Sequence, residues 1–253
     1  MEVIAITREV SPAINRCELS FHARQPIDFQ KAVSQHRAYE DCLRELGVRV
    51  VALPAEPALP DSVFVEDAAV VLDELAVIPI MGAPSRRPET KSIARILREY
   101  RPLQFLLDPA TLDGGDVLRA ERKIFVGLTK RTNRSAIDQL HDIARHHGYE
   151  VQVVEVRNVL HLKSACSYLG ENAMLVNRSF LHPEIFAGFD LIDVPNDEPA
   201  AANALAINGK VIVSASFPKT ATLLRRRGFE PVPIDVSELQ KAEAGVTCCS
   251  LII

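Results

Sequence analysis

The chain has 253 residues, 47% of them hydrophobic, which is enough for a sizeable buried core. Its 29 Lys and Arg against 33 Asp and Glu give a formal net charge of −4, so no sequence-wide basic field exists to attract nucleic acid or an anionic membrane. Glu2 stands where a signal peptide carries positive charge, and no apolar run reaches the ~18 residues of a membrane helix. The expectation is a soluble, cytoplasmic protein that acts on a small molecule, with no nucleic-acid or membrane partner; self-association into a homo-oligomer is left open.

In chain order the predicted elements begin with a lone strand at residues 2–6, a loop, a helix at 29–46 and a strand at 49–53. Then one set of signals recurs: an apolar hairpin, a helical stretch with apolar residues at three- and four-residue spacing, and a short strand. The hairpins are 65–72 with 75–80, 116–119 with 123–128, 165–169 with 173–176, and 202–207 with 210–215. The last turns at Asn208-Gly209, the strongest two-residue hairpin signal. Helices are expected at 90–100, 134–147 and 220–227, the last stopping at Gly228, with 183–187 as a weaker candidate. Short strands follow at 103–107, 150–156, 191–194 and 230–234, and a final strand at 246–252.

That makes four full modules and two loose ends, which join head to tail as a fifth. Modules unable to bury their faces alone gain by packing around a closed ring, and closure removes exposed sheet edges. The predicted architecture is therefore one α/β domain over residues 1–253, a five-bladed α/β propeller closed by its N- and C-terminal strands. An open α/β sheet fits less well, because open parallel sheets do not need this many hairpins.

Five cysteines, Cys17, Cys42, Cys166, Cys248 and Cys249, form no C-x-x-C pair and show no zinc-type spacing, so neither a disulfide framework nor a metal site is expected. Cys248 and Cys249 are adjacent, and on a strand they would point to opposite faces. Each module brings a polar residue to the entrance of its first hairpin strand: Asp61, Glu66 and Asp67 in DSVFVED; Asp113 and Asp116 in TLDGGD; His161 in VLHLK; Glu198 and Asn203 in DEPAAAN; Cys248 and Cys249 in TCCS. Taken singly, His161 reads as a hydrogen-bonded core histidine, the cysteines as small hydrophobes and the acids as a solvated strand face. In a ring of equivalent modules, equivalent positions face the same axis, and the groups converge. A thiol, an imidazole and several carboxylates then make a nucleophile, an acid/base and a cation-binding set. Carboxylates facing a thiol hinder its ionisation, an arrangement suited to a substrate that itself brings positive charge, such as a guanidinium.

The strings PDSVFVED, PSRRPET, TLDGGDVL, GLTKRTN, VLHLKS, AANALAING and GVTCCS occur in order along nearly the whole chain. On them the sequence resembles the dimethylarginine dimethylaminohydrolases of the guanidine-modifying, five-fold propeller (pentein) superfamily. The resemblance implies Cys248 as nucleophile, with Cys249 structural on the opposite strand face, and His161 as general acid and base with Asp113 beside it. It implies Asp67 at the guanidinium and Arg86 and Arg131 at the α-carboxylate. Asp61, the carbonyl of Leu19 and backbone near Ala242 would surround the α-amine, and Glu66 and Phe64 would line the pocket. The implied reaction is hydrolysis of Nω-methylated L-arginine to L-citrulline and methylamine or dimethylamine through a covalent thiouronium, with no metal or organic cofactor. The alternatives are an arginine deiminase-like hydrolase acting on unmethylated arginine, and a non-catalytic five-fold propeller that serves as a binding protein. Lys163, where deiminases typically carry an acid, disfavours the first, and the joint presence of Cys248, His161 and Asp67 disfavours the second.

Overall fold

Five sheets of three strands each, set around one axis, build the fold in the computed structural model, which describes residues 2–253. The first module holds β1 (Ile4–Arg8), α1 (Phe29–Glu45) and β2 (Arg49–Leu53). The second holds β3 (Val70–Val71), β4 (Ala76–Ile78), α2 (Thr90–Leu97) and β5 (Leu103–Phe105). The third holds β6 (Val117–Ala120), β7 (Lys123–Leu128), α3 (Arg134–Arg145) and β8 (Glu150–Glu155). The fourth has β9 (Cys166–Gly170), β10 (Ala173–Val176) and β11 (Asp190–Asp193); the fifth has β12 (Ala204–Ile207), β13 (Lys210–Ser214), α4 (Pro218–Arg226) and β14 (Pro231–Ile234). A short helix, α5 (Ser237–Gln240), which the hydrophobic period did not reveal, precedes β15 (Leu251–Ile252).

In each sheet the middle strand runs antiparallel to the inner strand and parallel to the outer one. β15 supplies the inner strand of the first module, pairing Ala5 with Ile252 and Ile6 with Leu251, and so closes the ring as the sequence predicts. The helices form where expected, for ordinary reasons. The Asp28 side chain caps α1 by accepting the Lys31 N–H, and Asn133 caps α3 by accepting the Ala136 N–H. Their buried faces, Ala32, His36, Tyr39 and Leu43 on α1 and Ala136, Ile137, Leu140 and Ala144 on α3, follow the helical period. The fourth module has only a 3-10 turn, Pro183–Phe186, where Phe186 packs edge-on against Phe125 at 4.8 Å and fills the space of a helix. Among the described residues, no helix is long and apolar enough to cross a membrane.

One local expectation is overturned in three modules, while the inner strands predicted from 116 and 165 begin within one residue of that, at Val117 and Cys166. In those three the inner strand starts later than the apolar pattern suggests, because a 3-10 turn comes first; such a turn precedes all five: Val65–Ala68, Gly114–Asp116, Leu162–Ser164, Pro199–Ala202 and Thr247–Cys249. Thus predicted strand 65–72 shrinks to β3, and predicted strand 246–252 shrinks to β15. The physical reason is a ring of side-chain bonds that satisfies the turns' backbone groups from neighbouring modules. Asp67 accepts the Gly115 N–H at 3.1 Å, and Asp116 accepts the Leu162 N–H at 2.9 Å. Asn203 donates to the Lys163 carbonyl at 3.0 Å and accepts the Thr247 N–H at 3.1 Å. Thr247 Oγ1 donates to Glu66 at 2.8 Å and returns the circuit to the second module.

Glu198 departs from the repeat argument. Its carboxylate turns away from the axis and accepts the Lys219 and Thr220 N–H groups at 2.8 and 2.7 Å, capping α4 from the preceding loop. The two polar residues of this module therefore separate into a helix cap and a ring bond. Asn203→Ala strands the buried Thr247 N–H and should cost on the order of 1–3 kcal/mol, read as a lower urea midpoint. Glu198→Ala should cost about 1–2 kcal/mol through the lost cap while leaving turnover unchanged; a large loss of turnover with little loss of stability would return Glu198 to the site.

Candidate active site

Cys248 lies in the Thr247–Cys249 turn, partly buried, with its Sγ accepting the Gly245 N–H at 3.3 Å. Cys249 is fully buried in the hydrophobic cluster of Tyr39, Cys42, Leu43 and Val63. The two thiols do diverge, though not by strand alternation: on a 3-10 turn, successive side chains point about a third of a turn apart. Burial, followed by the negative charges of Glu66 and Asp67, pushes the Cys248 thiol well above its ordinary pKa. At neutral pH the empty site holds it uncharged.

His161 caps the Leu162–Ser164 turn in extended conformation and is only 5% exposed. Its Nε2 lies 3.1 Å from Asp113 Oδ2, and its Nδ1 lies 3.6 Å from Asp67 Oδ1. Burial opposes the imidazolium, but the carboxylates of Asp67, Asp113 and Asp116 outweigh it and push the pKa up to about 9. Asp67 is itself 3% exposed; burial would raise its pKa, yet His161 and Arg86 hold it below the usual carboxylate range. Gly115 explains the paired glycines of TLDGGD, since a Cβ there would come within 2.7 Å of both Asp67 Oδ1 and His161 Nδ1.

Each aspartate beside the imidazole is joined to an arginine. Asp67 Oδ2 accepts from Arg86 Nη1 at 2.7 Å, and Asp113 Oδ2 accepts from Arg131 Nη1 at 3.3 Å. Arg86 also donates to Glu89 and to the carbonyls of Asp61 and Phe64, so most of its fork is already engaged. Asp67, Asp113 and His161 bring ligand-type atoms within 4.8 Å of one another. Their oxygens are bonded to Gly115 and Gly82 N–H groups and to the two guanidiniums, whose charge opposes a metal ion. The set is suited to proton transfer.

Cys248, His161 and Asp67 share a cavity of about 10 Å³ with Arg86, Arg131 and Asp61. Phe64 and Ala242 also reach it, so eight of the residues named from sequence line one space. Three do not. Asp113 is fully buried behind His161. Glu66, expected along the pocket, instead faces a central cavity of about 420 Å³ lined by the inner strands, where Lys163 holds one oxygen at 2.7 Å and Thr247 the other at 2.8 Å. The loop carrying Leu19 reaches the cavity through Glu18, whose N–H donates to both Asp61 oxygens, while the Leu19 side chain packs on the first module's core.

Sequence reasoning missed Glu18, Glu89, Leu160, Glu243 and Ala244. Glu243 accepts the N–H groups of Ser20, Phe21 and His22, fastening the 18–22 loop over the cavity from the far end of the chain. Only Glu89 had a legible signal, its three-residue spacing from Arg86.

Three comparisons bear on these features. The sequence model described as N,N dimethylarginine dimethylhydrolase, eukaryotic, matches residues 4–252. A relative from Pseudomonas aeruginosa named N(G),N(G)-dimethylarginine dimethylaminohydrolase is 35% identical over 234 residues, covering 92% of both chains. One of the same name from Streptomyces coelicolor is 36% identical over 250 residues, 98% of this chain and 95% of its own. The solved Pseudomonas aeruginosa enzyme, a cysteine-to-serine mutant complexed with citrulline, superposes with a TM-score of 0.95 at 33% identity over the whole of both chains. The N-terminal domain of ArgZ, an arginine dihydrolase from cyanobacteria, shares the fold at TM-score 0.85 with 17% identity. The thiol, imidazole and paired carboxylates in a closed five-fold ring accord with a match that spans the chain, which belongs to the dimethylarginine dimethylaminohydrolase family.

Proposed function

We propose that this protein hydrolyses Nω-methylated L-arginine to L-citrulline and methylamine or dimethylamine, and that residues 1–253 act as one catalytic domain. The reading includes a small-molecule substrate and a cytoplasmic setting. The observation that carries it is the shared cavity of Cys248, His161 and Asp67, where an acid pair flanks a protonated imidazole next to an uncharged thiol.

The guanidinium of the substrate docks against Asp67, whose carboxylate has acceptor directions beyond those taken by Gly115 and Arg86. Its positive charge beside the Cys248 sulfur favours the thiolate, the thiol proton passing to solvent because His161 is already protonated, so the substrate activates its own nucleophile. The thiolate adds to the guanidinium carbon, giving a tetrahedral adduct. His161, with Nε2 held by Asp113, donates the Nδ1 proton to the departing methylated amine, and the C–N bond breaks to leave a thiouronium. Neutral His161 then takes a proton from water, which attacks the same carbon; expulsion of the thiolate releases the ureido product. Arg131 holds the α-carboxylate, with Arg86 offering the N–H that its bonds to Asp67, Glu89 and the Asp61 and Phe64 carbonyls leave over, and Asp61, the Leu19 carbonyl and backbone near Ala242 surround the α-amine.

Incubation with asymmetric dimethylarginine and with arginine tests the reading; citrulline should form mainly from the methylated substrate, and a preference for arginine would assign a deiminase instead. Cys248→Ser should abolish turnover, whereas Cys249→Ser should retain most of it with only a packing cost. The free-enzyme pH profile should lose kcat/KM as pH rises through about 9, where His161 gives up its proton. The same group sets a stability slope, because its folded pKa lies above its ordinary value of 6.5. Its contribution is complete below 6.5 and lost as pH rises through about 9, so thermal scans should show that slope in the wild type and not in His161→Asn.

A further inference from the structure

Asp116 is a buried carboxylate that the reaction above leaves without a part. It is fully buried and does not line the catalytic cavity. Oδ1 accepts the Leu162 N–H at 2.9 Å, on the peptide that follows His161. Oδ2 accepts from Thr129 Oγ1 and from Thr132 Oγ1, each at 2.7 Å. Those threonines bracket Arg131: Thr129 Oγ1 accepts the Arg131 N–H at 3.0 Å, and Thr132 Oγ1 accepts the Asp113 N–H at 3.3 Å. One side chain thus grips the segments that carry His161, Arg131 and Asp113.

The packing leaves it no other place. A Cβ on Gly127 would come within 2.9 Å of Asp116 Oδ1 and of the Leu162 Cβ, so β7 must pass bare-backed at this point. A neutral amide has a single oxygen and would accept on one side only, whereas the carboxylate accepts the Leu162 N–H on Oδ1 and two hydroxyls on Oδ2. The carboxylate thus serves both segments at once, and its negative charge adds to those of Asp67 and Asp113 in favouring the protonated His161 ring. Burial in turn pushes the Asp116 carboxyl up to about 6, against the pull of His161 and the two threonine hydroxyls.

We propose that Asp116 is a positioning residue for the hydrolysis, its two oxygens locking the segments that carry His161, Asp113 and Arg131 in register. The proposal rests on the roles given above to His161 and Arg131. Asp67 from the Val65–Ala68 turn and Asp113 from the third module face the His161 ring at 3.6 and 3.1 Å, and Asp116 is bonded to the peptide that follows it. Arg86 and Arg131 are bonded to Asp67 and Asp113, Cys248 shares the cavity, and Glu18, Asp61 and Glu243 lie around its wall. Lys163, two residues along, is turned to Glu66.

Asp116→Asn keeps an acceptor for the Leu162 N–H, removes the charge and turns an NH2 group toward the two threonine hydroxyls; Thr132→Val removes a donor on the Arg131 side and the acceptor of the Asp113 N–H and leaves the charge. The His161 ring is titrated by NMR in a Cys248→Ser background, and kcat and KM for asymmetric dimethylarginine are measured across pH in the native-cysteine protein. Asp116→Asn should lower the His161 midpoint by about one pH unit, shift the alkaline limb of the rate profile with it, and cut kcat about tenfold with KM nearly unchanged. Thr132→Val should raise KM several-fold and move the His161 midpoint less than Asp116→Asn does. An Asp116→Asn protein with wild-type titration, pH profile and kcat, whatever its melting temperature, overturns the proposal and leaves Asp116 a fold residue. If Asp116→Asn does not fold, Thr132→Val decides: an unchanged KM overturns the proposal. Wild-type protein that yields no citrulline from either substrate removes the reading of the site itself, a failure distinct from that of Asp116 alone.

Discussion

The Asp67 carboxylate joins the ring to the chemistry. One oxygen accepts the Gly115 N–H of the next module, and the other accepts Arg86; the same group faces the His161 ring across 3.6 Å. Stripping water from a carboxylate costs several kcal/mol unless partners replace it, and here every partner comes from a different segment. The module interface, the turn before β6 and the imidazole all depend on that one charge staying ionised. Gly115 follows from it, since any side chain there would strike both members of the pair.

Around Asp67 the carboxylates outnumber the cations. Two arginines and a protonated histidine face several carboxylates, and the thiol stays neutral because burial and the nearby acids oppose its ionisation. A guanidinium entering such a site supplies the missing charge next to the sulfur. Selectivity and activation then share one electrostatic cause, because a neutral ligand leaves the nucleophile in its inactive form. The buried Cys249, packed against Tyr39 and Leu43, lies outside this field of use and acts as a small hydrophobe.

Repeat equivalence is a good guide to where a polar residue sits along the chain and a poorer one to where its side chain goes. Glu198 and Glu66 both stand at module entrances. Glu198 is claimed by the free N–H groups of α4, and Glu66 by Lys163 and Thr247 on the side of the central cavity. A helix terminus and a lysine compete for a carboxylate through the same electrostatics that would aim it at a substrate. Which one wins depends on distances that no spacing encodes.

The sequence by itself determined the module order, the hairpin turns such as Asn208-Gly209, the four main helices and the closure by the two end strands, because these arise from local period and turn chemistry. It also named Cys248, His161, Asp67 and Asp113 as one set, and the fold brings them together. Only the tertiary structure decided that the inner strands begin as 3-10 turns, since their backbone partners belong to other modules. It alone brought Glu243 to the loop at Phe21, across a separation of 222 residues, and set Asp116 between the His161 and Arg131 segments. The hydrophobic period records which face of an element is buried; it carries no information about which distant polar group meets it there.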